Sequence, residues 1–421
     1  MRIWLINVGE PMPLDPGAER LLRMSLVAYK LGELGHDVVW WSSAFDHNYK
    51  RQRFDRDTVV PVTDRLVLHY LHARPFSSNI SINRLINHHQ LARAFERNAI
   101  AVGADAKPDV IFVTVPTVEL AAAATKYGRR NGIPVIVDVR DLHPDIYLAL
   151  VPQWARPAAR VALGRMYREL RNGLRLATGI VAIAPSFLRW ALNHAGRQAT
   201  DNDAVFPLAY PMLSASAEER KAALAELEAL GIRRDRKIVW YVGTFNRWID
   251  LETPIAAARM LADAGRDDVQ FVISGSGDFD AEWRRQAAGL PNVIFTGWIG
   301  VPHILEMGAA AWAGLAPYRE GFLTVGNKLF EYMAAGLPIF LSIGGDAKLV
   351  VEEHDCGMSY KAGDPSTLVR AIDALSADGV QERMVANSLA AYREHYSAEK
   401  VYAEMCEHIL SFADSPAYAA D

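Results

Sequence analysis

Cysteine is scarce in this sequence. Cys356 and Cys406 are the only two among 421 residues. That excludes a disulfide framework and favours a reducing compartment. Long apolar runs are missing too. The stretches around 133–139, 307–317 and 337–343 fall far short of the ~20 residues that span a bilayer as a helix. The opening MRIWLINVG reads as a strand, without the charged start, long apolar core and cleavage site of a signal peptide. No complete G-x-G-x-x-G follows any strand-like run, so the dinucleotide fingerprint is absent. There is no low-complexity tract and no internal repeat. No nucleic-acid recognition motif accompanies the basic residues.

What is present is an ordinary globular composition, 51% apolar and 22% charged, in a chain long enough for two cores. The net charge of −4 hides an asymmetry. Residues 1–200 carry 26 Lys and Arg against 17 Asp and Glu, whereas the remaining 221 carry 19 against 32. Such a split suits a basic face for an anionic partner, and equally two domains with different solvated surfaces.

Strands and helices alternate along the chain. Apolar runs at 2–8, 36–41, 109–115, 134–139 and 179–183 read as buried strands, with helices at 18–34 and 117–131 closed by Gly35 and Gly132. A segment rich in Gly, Asp, Asn and Pro at 196–211 reads as a linker. The pattern then restarts. Strands are expected at 237–242, 269–274, 293–296, 313–316 and 338–342. Helices are expected at 254–264, 281–288, 301–309 and 328–335, with a last one at 398–412. This is the βαβ logic of parallel sheets covered by helices, and ligands of such sheets bind beyond the carboxyl ends of the strands.

The residues after those strands carry the chemistry. The strand 237–242 ends at Gly243-Thr244, the strand 269–274 at Gly275-Ser276-Gly277, and the strand 293–296 at Gly297-Trp298. A fourth loop leads through Thr324, Val325 and Gly326 into Asn327, Lys328 and Glu331. A helix beginning there offers unpaired N–H groups and a positive dipole end to a phosphate. Lys328 adds a point charge, and Glu331, three residues on, shares its face. A carboxylate there can accept two hydrogen bonds from ribose hydroxyls. Taken alone, the same residue types fit a solvated Lys–Glu pair on an amphipathic helix.

In this order the segments resemble family 4 of the retaining glycosyltransferases. The C-terminal domain of that family reads strand-Gly, strand-Gly-x-Gly, NVxFxG, then a Lys-x-x-Glu helix followed by AxGxP. The counterparts here are Asn292-Val293-Ile294-Phe295-Thr296-Gly297 and Lys328-Leu329-Phe330-Glu331-Tyr332-Met333-Ala334-Ala335-Gly336-Leu337-Pro338. The resemblance covers nearly the whole chain. It implies an α/β protein of the GT-B fold, with two Rossmann-like domains facing across a deep interdomain cleft. The expected boundaries are 1–205 for an acceptor domain, 206–395 for a nucleotide-sugar domain, and 396–421 for a helix packing back on the first. By this resemblance Lys328 holds the donor diphosphate, Glu331 the ribose, and the backbone of Thr324, Val325, Gly326 and Asn327 cradles phosphate. Gly243, Thr244 and Gly275 border the donor, Trp298 and Ile299 contact the base, and Gly17 lies near the transferred sugar.

Some positions depart from the family pattern. The family places Arg after the first glycine and Lys five residues later, and this chain has Thr244 and Ile249. The carboxylate expected eight residues before Glu331 is Leu323. Arg247 is the cation available as a substitute. Both departures resemble a bacterial subgroup that builds surface polysaccharides. The segment Asp138-Val139-Arg140-Asp141-Leu142-His143-Pro144-Asp145 resembles the Arg-Asp-Leu-x-Pro of the same subgroup. Arg140, Asp141 and His143 are therefore the candidate acceptor site, with Asp141 and His143 able to orient an acceptor hydroxyl or share its proton. Arg247, Lys328, Asp141 and His143 form the candidate catalytic set.

The resemblance implies a nucleotide-sugar co-substrate, a glycan or lipid-linked acceptor, no other cofactor and no metal. The cysteine usage and the lack of a spanning run point to the cytoplasm, the basic N-terminal domain suggests peripheral contact with the anionic inner face of the membrane, and without a recognition motif no nucleic acid is expected as partner. Asp278-Phe279-Asp280 mimics an Asp-x-Asp metal motif but occupies a helix start, where acidic residues cap the dipole. His69, His72, His88 and His89 form no compact ligand set. A basic run with Trp154, Met166 and Tyr167 holds Arg156, Arg160, Arg165, Arg168, Arg171 and Arg175 along one expected helix; Lys50, Arg51, Arg53 and Arg56 form a second cluster. Two other readings of the chain stay open, a nucleotide-sugar 2-epimerase of similar architecture and a non-catalytic nucleotide-sugar binder.

Overall fold

A computed structural model describes residues 1–15, 21–47, 49–78, 81–321 and 325–413. The chain divides into two compact units, Met1–Pro207 with Val401–Asp421, and Leu208–Lys400.

The first unit is built on an eight-stranded sheet. Its strands run Ala204–Val205, Gly179–Ala182, Val135–Val139, Val110–Val115, Arg2–Ile6, Asp37–Ser43, Leu66–Leu71 and Thr58–Pro61 in spatial order. Neighbours are parallel except at the last pair, where Thr58–Pro61 runs antiparallel to Leu66–Leu71. The central strands are largely apolar and covered on both faces, and every residue of Val110–Val115 and Val135–Val139 is buried. That is the signature of a parallel sheet covered on both sides by helices. The helix Val118–Asn131 ends at Gly132 in the left-handed conformation, φ 68°, where glycine carries no steric penalty. The last helix, Ala398–Ser411, belongs to this unit from Val401 onward. Its Cys406 lies 3.9 Å from the Val27 carbonyl, and Phe412 lies against Gly179 so closely that a Cβ there would stand 2.6 Å from its ring.

The second unit has a six-stranded, wholly parallel sheet. The order is Val293–Gly297, Val269–Ser274, Lys237–Val242, Ala313–Ala316, Ile339–Leu341 and Gly357–Ser359. The strands expected at 237–242, 269–274 and 313–316 occupy those residues. One expectation needs correction. The single helix foreseen from Arg156 to Arg175 is two, Arg156–Ala162 and Gly164–Leu176, separated at Leu163, whose ψ of 3° leaves helical geometry. The helix start expected at 278–280 is there: Asp280 opens the helix Asp280–Gln286, stands with Glu282 in its first turn, and pairs with Arg284 at 3.0 Å, while the N-cap, Phe279, makes no side-chain bond.

Candidate active site

In the second unit the carboxyl ends of the first three strands lie backbone to backbone. Gly275 donates from its N–H to the Gly297 carbonyl at 2.7 Å, Gly243 to Ser274 at 3.0 Å, and Phe245 to Ser276 at 2.8 Å. A Cβ on Gly275, whose φ is 141°, would stand 1.9 Å from the Gly243 oxygen, and one on Gly277 would stand 2.4 Å from the Phe245 oxygen. These two glycines therefore answer a packing demand between loops. Gly243 is different. A Cβ there would meet Lys328 Nζ at 3.2 Å and Tyr241 Oη at 3.1 Å. The strand-end glycine and the lysine are thus direct neighbours.

Lys328 stands in the first turn of the helix Asn327–Ala334, whose N-cap is Gly326 in extended conformation. Leu329, Phe330, Tyr332 and Met333 fix that helix to the core, all fully buried. Tyr332 ties it further: its hydroxyl donates to the Leu315 carbonyl at 3.0 Å and accepts from the Val242 N–H at 3.2 Å. Gly314 makes room for its ring, since a Cβ there would fall 2.3 Å from it. The half-buried Lys328 ammonium lies 4.8 Å from the Tyr241 ring centre and 5.1 Å from that of Tyr318, a cation–π arrangement. Burial pushes its pKa down to about 8, with the Glu331 charge pulling the other way. The cause is the cost of holding a charge out of water.

Glu331 is buried at 5% exposure, and the Tyr210 hydroxyl donates to its Oε1 at 3.1 Å. It borders a pocket of about 220 Å3 with Tyr210, Met212, Trp240, Leu305 and Gly308. Val325 is buried, Asn327 exposed and Ile299 half-buried, and Trp298 is exposed at the end of its strand. Thr244 is exposed as well. Gly17, Leu323 and Thr324 lie outside the described residues. The departures at Thr244 and Ile249 have a partial structural account. Ile249 is buried, and its backbone bridges that of Tyr318, one of the residues whose rings lie beside Lys328. Arg247 is exposed, with its guanidinium 5.6 Å from the Trp248 ring centre.

The first unit holds the other candidates. Arg140 is engaged by Glu10 in a close ion pair, whose second oxygen accepts from the Met24 N–H at 2.9 Å. Burial opposes the Arg140 charge, but Glu10 and Asp138 raise its pKa. The expected acceptor contact through Arg140 thus competes with a structural pair. Asp138 itself is buried and bonded to Arg23 at 3.2 Å. Burial pushes the Asp141 carboxyl up to about 6 against the pull of Arg140 and Arg84. Burial also pushes His143 down to about 3, helped by Arg84 and His88, so the imidazole is neutral at pH 7. Its Nδ1 makes no hydrogen bond among the described residues, and its ring meets Tyr147 edge-on at 5.1 Å.

Arg84 and Glu119 were not foreseen in this region. Arg84, on the helix Ile82–Ala101, bonds His88 at 3.4 Å, and its charge bears on Asp141, His143, Tyr147, His47 and Lys50. His88 and His89 stand 3.6 and 3.7 Å from the buried Glu119. The cluster at 50–56 is partly neutralised, since Arg53 pairs with Asp15 and Asp46, and Arg51 with Asp46. No group of three His, Cys, Asp or Glu side chains is arranged to hold a metal among the described residues.

Residues 236–378 match the family described as glycosyl transferases group 1. That match lies within the second unit and covers about a third of the chain. Curated relatives include an uncharacterized glycosyltransferase of Methanocaldococcus jannaschii, 23% identical over 42% of this chain and 45% of that one. A phosphatidyl-myo-inositol mannosyltransferase of Mycobacterium leprae is 33% identical over 31% of this chain and 34% of its own. The matches therefore span less than half the length of either relative. Among solved structures, sucrose-phosphate synthase from Thermosynechococcus elongatus aligns with a TM-score of 0.71 at 20% identity, covering 98% of this chain and 100% of that one. Anabaena HepE, solved with UDP-glucose, aligns at 0.63 with 15% identity, over 98% and 100%. These likenesses show the fold, which is GT-B.

Proposed function

We propose that the protein is a retaining glycosyltransferase that moves a sugar from a UDP- or GDP-sugar to an acceptor hydroxyl. The observation that carries this reading is the Lys328 ammonium against the Gly243 backbone, at the start of the helix Asn327–Ala334. A diphosphate placed there meets a point charge, the first-turn N–H groups and a backbone free of side chain. The UDP-glucose named with the Anabaena structure supports a nucleotide-sugar in this fold.

In the proposed reaction the bond from the anomeric carbon to the diphosphate oxygen breaks. The acceptor oxygen bonds the same carbon from the same face, and the acceptor proton passes to the departing phosphate. Lys328 and the helix N-terminus stabilise the charge that grows on that phosphate. Glu331, held by Tyr210, accepts from the ribose hydroxyls. Asp141 and neutral His143 orient the acceptor hydroxyl. Arg247 is assigned a second cationic role at the diphosphate, and no metal is assigned to the step. The acceptor we infer is a growing glycan or a lipid-linked one, in bacterial polysaccharide or glycolipid assembly at the cytoplasmic face of the membrane; the basic N-terminal half supports it.

The test begins with UDP- and GDP-sugars screened for thermal stabilisation, since a ligand raises the apparent stability of the state it binds. The stabilising donor is then incubated with candidate acceptors and the product anomer read by NMR. Retention with loss of transfer in Lys328→Ala is expected. Epimerised donor without transfer, or an inverted product, would sink the reading.

A further inference from the structure

Between residues 146 and 200 the sequence holds eight arginines and a single carboxylate, Glu169. Glu169 is itself paired with Lys126 at 3.8 Å. The first part of this stretch packs in an unusual way. The turn Gln153–Ala155 and the helix Arg156–Ala162 contain no buried residue at all. Trp154 is 84% exposed and Val161 82% exposed, although such side chains normally fill cores or interfaces. Ala158, Val161 and Ala162 recur at spacings of three and four and share one face of the helix. Arg156 and Arg160, four apart, share another.

The element is nevertheless firmly mounted. The next helix, Gly164–Leu176, buries Met166, Tyr167, Leu170, Gly173 and Leu174. Gly173 sits against the helix Val118–Asn131, where a Cβ would be 3.3 Å from the Ala122 nitrogen. Below it, Asp145 accepts from the Tyr167 hydroxyl and, at 2.7 Å, from Trp190 Nε1. A firmly packed base therefore holds up a short helix whose apolar side chains are left uncovered among the described residues.

We propose that residues 152–168 are a membrane-docking surface, which lays Trp154 and Val161 into the interfacial layer of a bilayer whose anionic headgroups meet Arg156, Arg160, Arg165 and Arg168. The charge complementarity is one-sided, since no carboxylate lies between residues 146 and 168. Tryptophan favours the headgroup level of a bilayer, with its apolar body immersed and its N–H wet. A short helix with an apolar face and an arginine-bearing polar face fits one lying in the plane of the interface. The absence of any helix long and apolar enough to cross a membrane among the described residues is consistent with binding from one side. This surface gives named residues to the membrane contact in the proposed function, yet needs neither donor nor acceptor to operate.

The experiment is co-sedimentation of the full chain with large unilamellar vesicles, without nucleotide. One set is pure phosphatidylcholine, the other carries phosphatidylglycerol as about a third of its lipid, and both are run at low and high salt. Binding to the anionic set that weakens with salt is expected. The double variants Trp154→Ala/Val161→Ala and Arg165→Glu/Arg168→Glu should each bind about tenfold more weakly or worse. Both should keep the thermal midpoint of the parent, since the altered side chains are exposed. Absence of binding by the parent, equal binding to the neutral vesicles, or unchanged binding by either variant would overturn the surface. Sugar transfer failing while sedimentation stays intact would instead count against the enzyme reading alone.

Discussion

Lys328 makes the sharpest test of the donor site, because its role should be visible as instability. An ammonium pushed from 10.5 to about 8 by burial stands in a place that disfavours its charge. That fall corresponds to about 3 kcal/mol between the charged and neutral forms. Partial exposure of the side chain lowers the usable figure to about 1–3 kcal/mol. Lys328→Met keeps the length and removes the charge. The free Met variant should therefore be more stable than the parent at pH 7. At about 2–4 °C per kcal/mol for a unit of this size, its melting midpoint should rise by several degrees.

The pH dependence fixes the sign. The folded pKa lies below the unfolded one, so the unfolded state binds more protons between about 8 and 10.5. Parental stability should rise with pH through that window, and the gap to the Met variant should be full below pH 8 and close toward pH 10.5. Nucleotide reverses the order. A diphosphate beside Lys328 relieves the penalty, so UDP or GDP at about a hundredfold over its dissociation constant should stabilise the parent by about 3 kcal/mol and the Met variant by much less. Differential scanning fluorimetry at several pH values, with and without nucleotide, reads all three effects. A Met variant less stable than the parent, or stabilised equally by nucleotide, refutes the argument.

Three further perturbations follow from the same kind of geometry. Gly275→Ala places a Cβ 1.9 Å from the Gly243 oxygen at a φ of 141°, so calorimetry should show a loss of about 3 kcal/mol or more; Gly344→Ala, with nothing within 4 Å, should change almost nothing. Asp145, lowered by its hydrogen bonds from His194, Trp190 and Tyr167, contributes stability above its unfolded range that is lost as pH falls. Asp145→Asn should cost about 1–2 kcal/mol at pH 7 and show a shrinking deficit under acid unfolding. Asp141 runs the opposite way, since its folded pKa of about 6 lies above the unfolded value. Its charge disfavours folding above pH 6 and has no effect below about pH 4. Asp141→Asn should therefore raise the melting midpoint at pH 7 and leave it unchanged at pH 4.

Which features were legible in the sequence depended on whether they are local. The parallel strands of the second unit were readable because a fully buried strand is a short apolar run, and a glycine at its end marks the loop. Lys328 and Glu331 were readable because three residues of helix put them on one face. Even there the glycines concealed two reasons for one residue type. Gly275 and Gly277 serve loop-on-loop packing, and only Gly243 faces the lysine. The helix Ile82–Ala101 and the antiparallel edge strand Thr58–Pro61 escaped notice, the first because its apolar positions are interrupted by His88, His89 and Asn87, the second because it alternates exposed and half-buried residues. The polar partners were hidden for a deeper reason. Glu10 with Arg140, Arg23 with Asp138 and Arg84 with the Asp141 and His143 region are separated by tens of residues or more, and nothing local in either member announces the other.

That asymmetry bears on how the two candidate sites should be weighed. The donor strip draws on one helix, three strand ends and the tyrosines beside them, so a family pattern can carry its geometry. The acceptor region depends on long-range charge pairs that spend Arg140 on Glu10 and bring in Arg84 unannounced. Two groups in it are held away from their ordinary protonation by the same burial, Asp141 upward and His143 downward. Opposite shifts on neighbouring acid and base groups are what a site that handles protons requires. They also arise wherever a polar network is buried. Under the proposed function, loss of transfer in Asp141→Asn or His143→Gln with nucleotide-induced thermal stabilisation unchanged is the result that separates these cases.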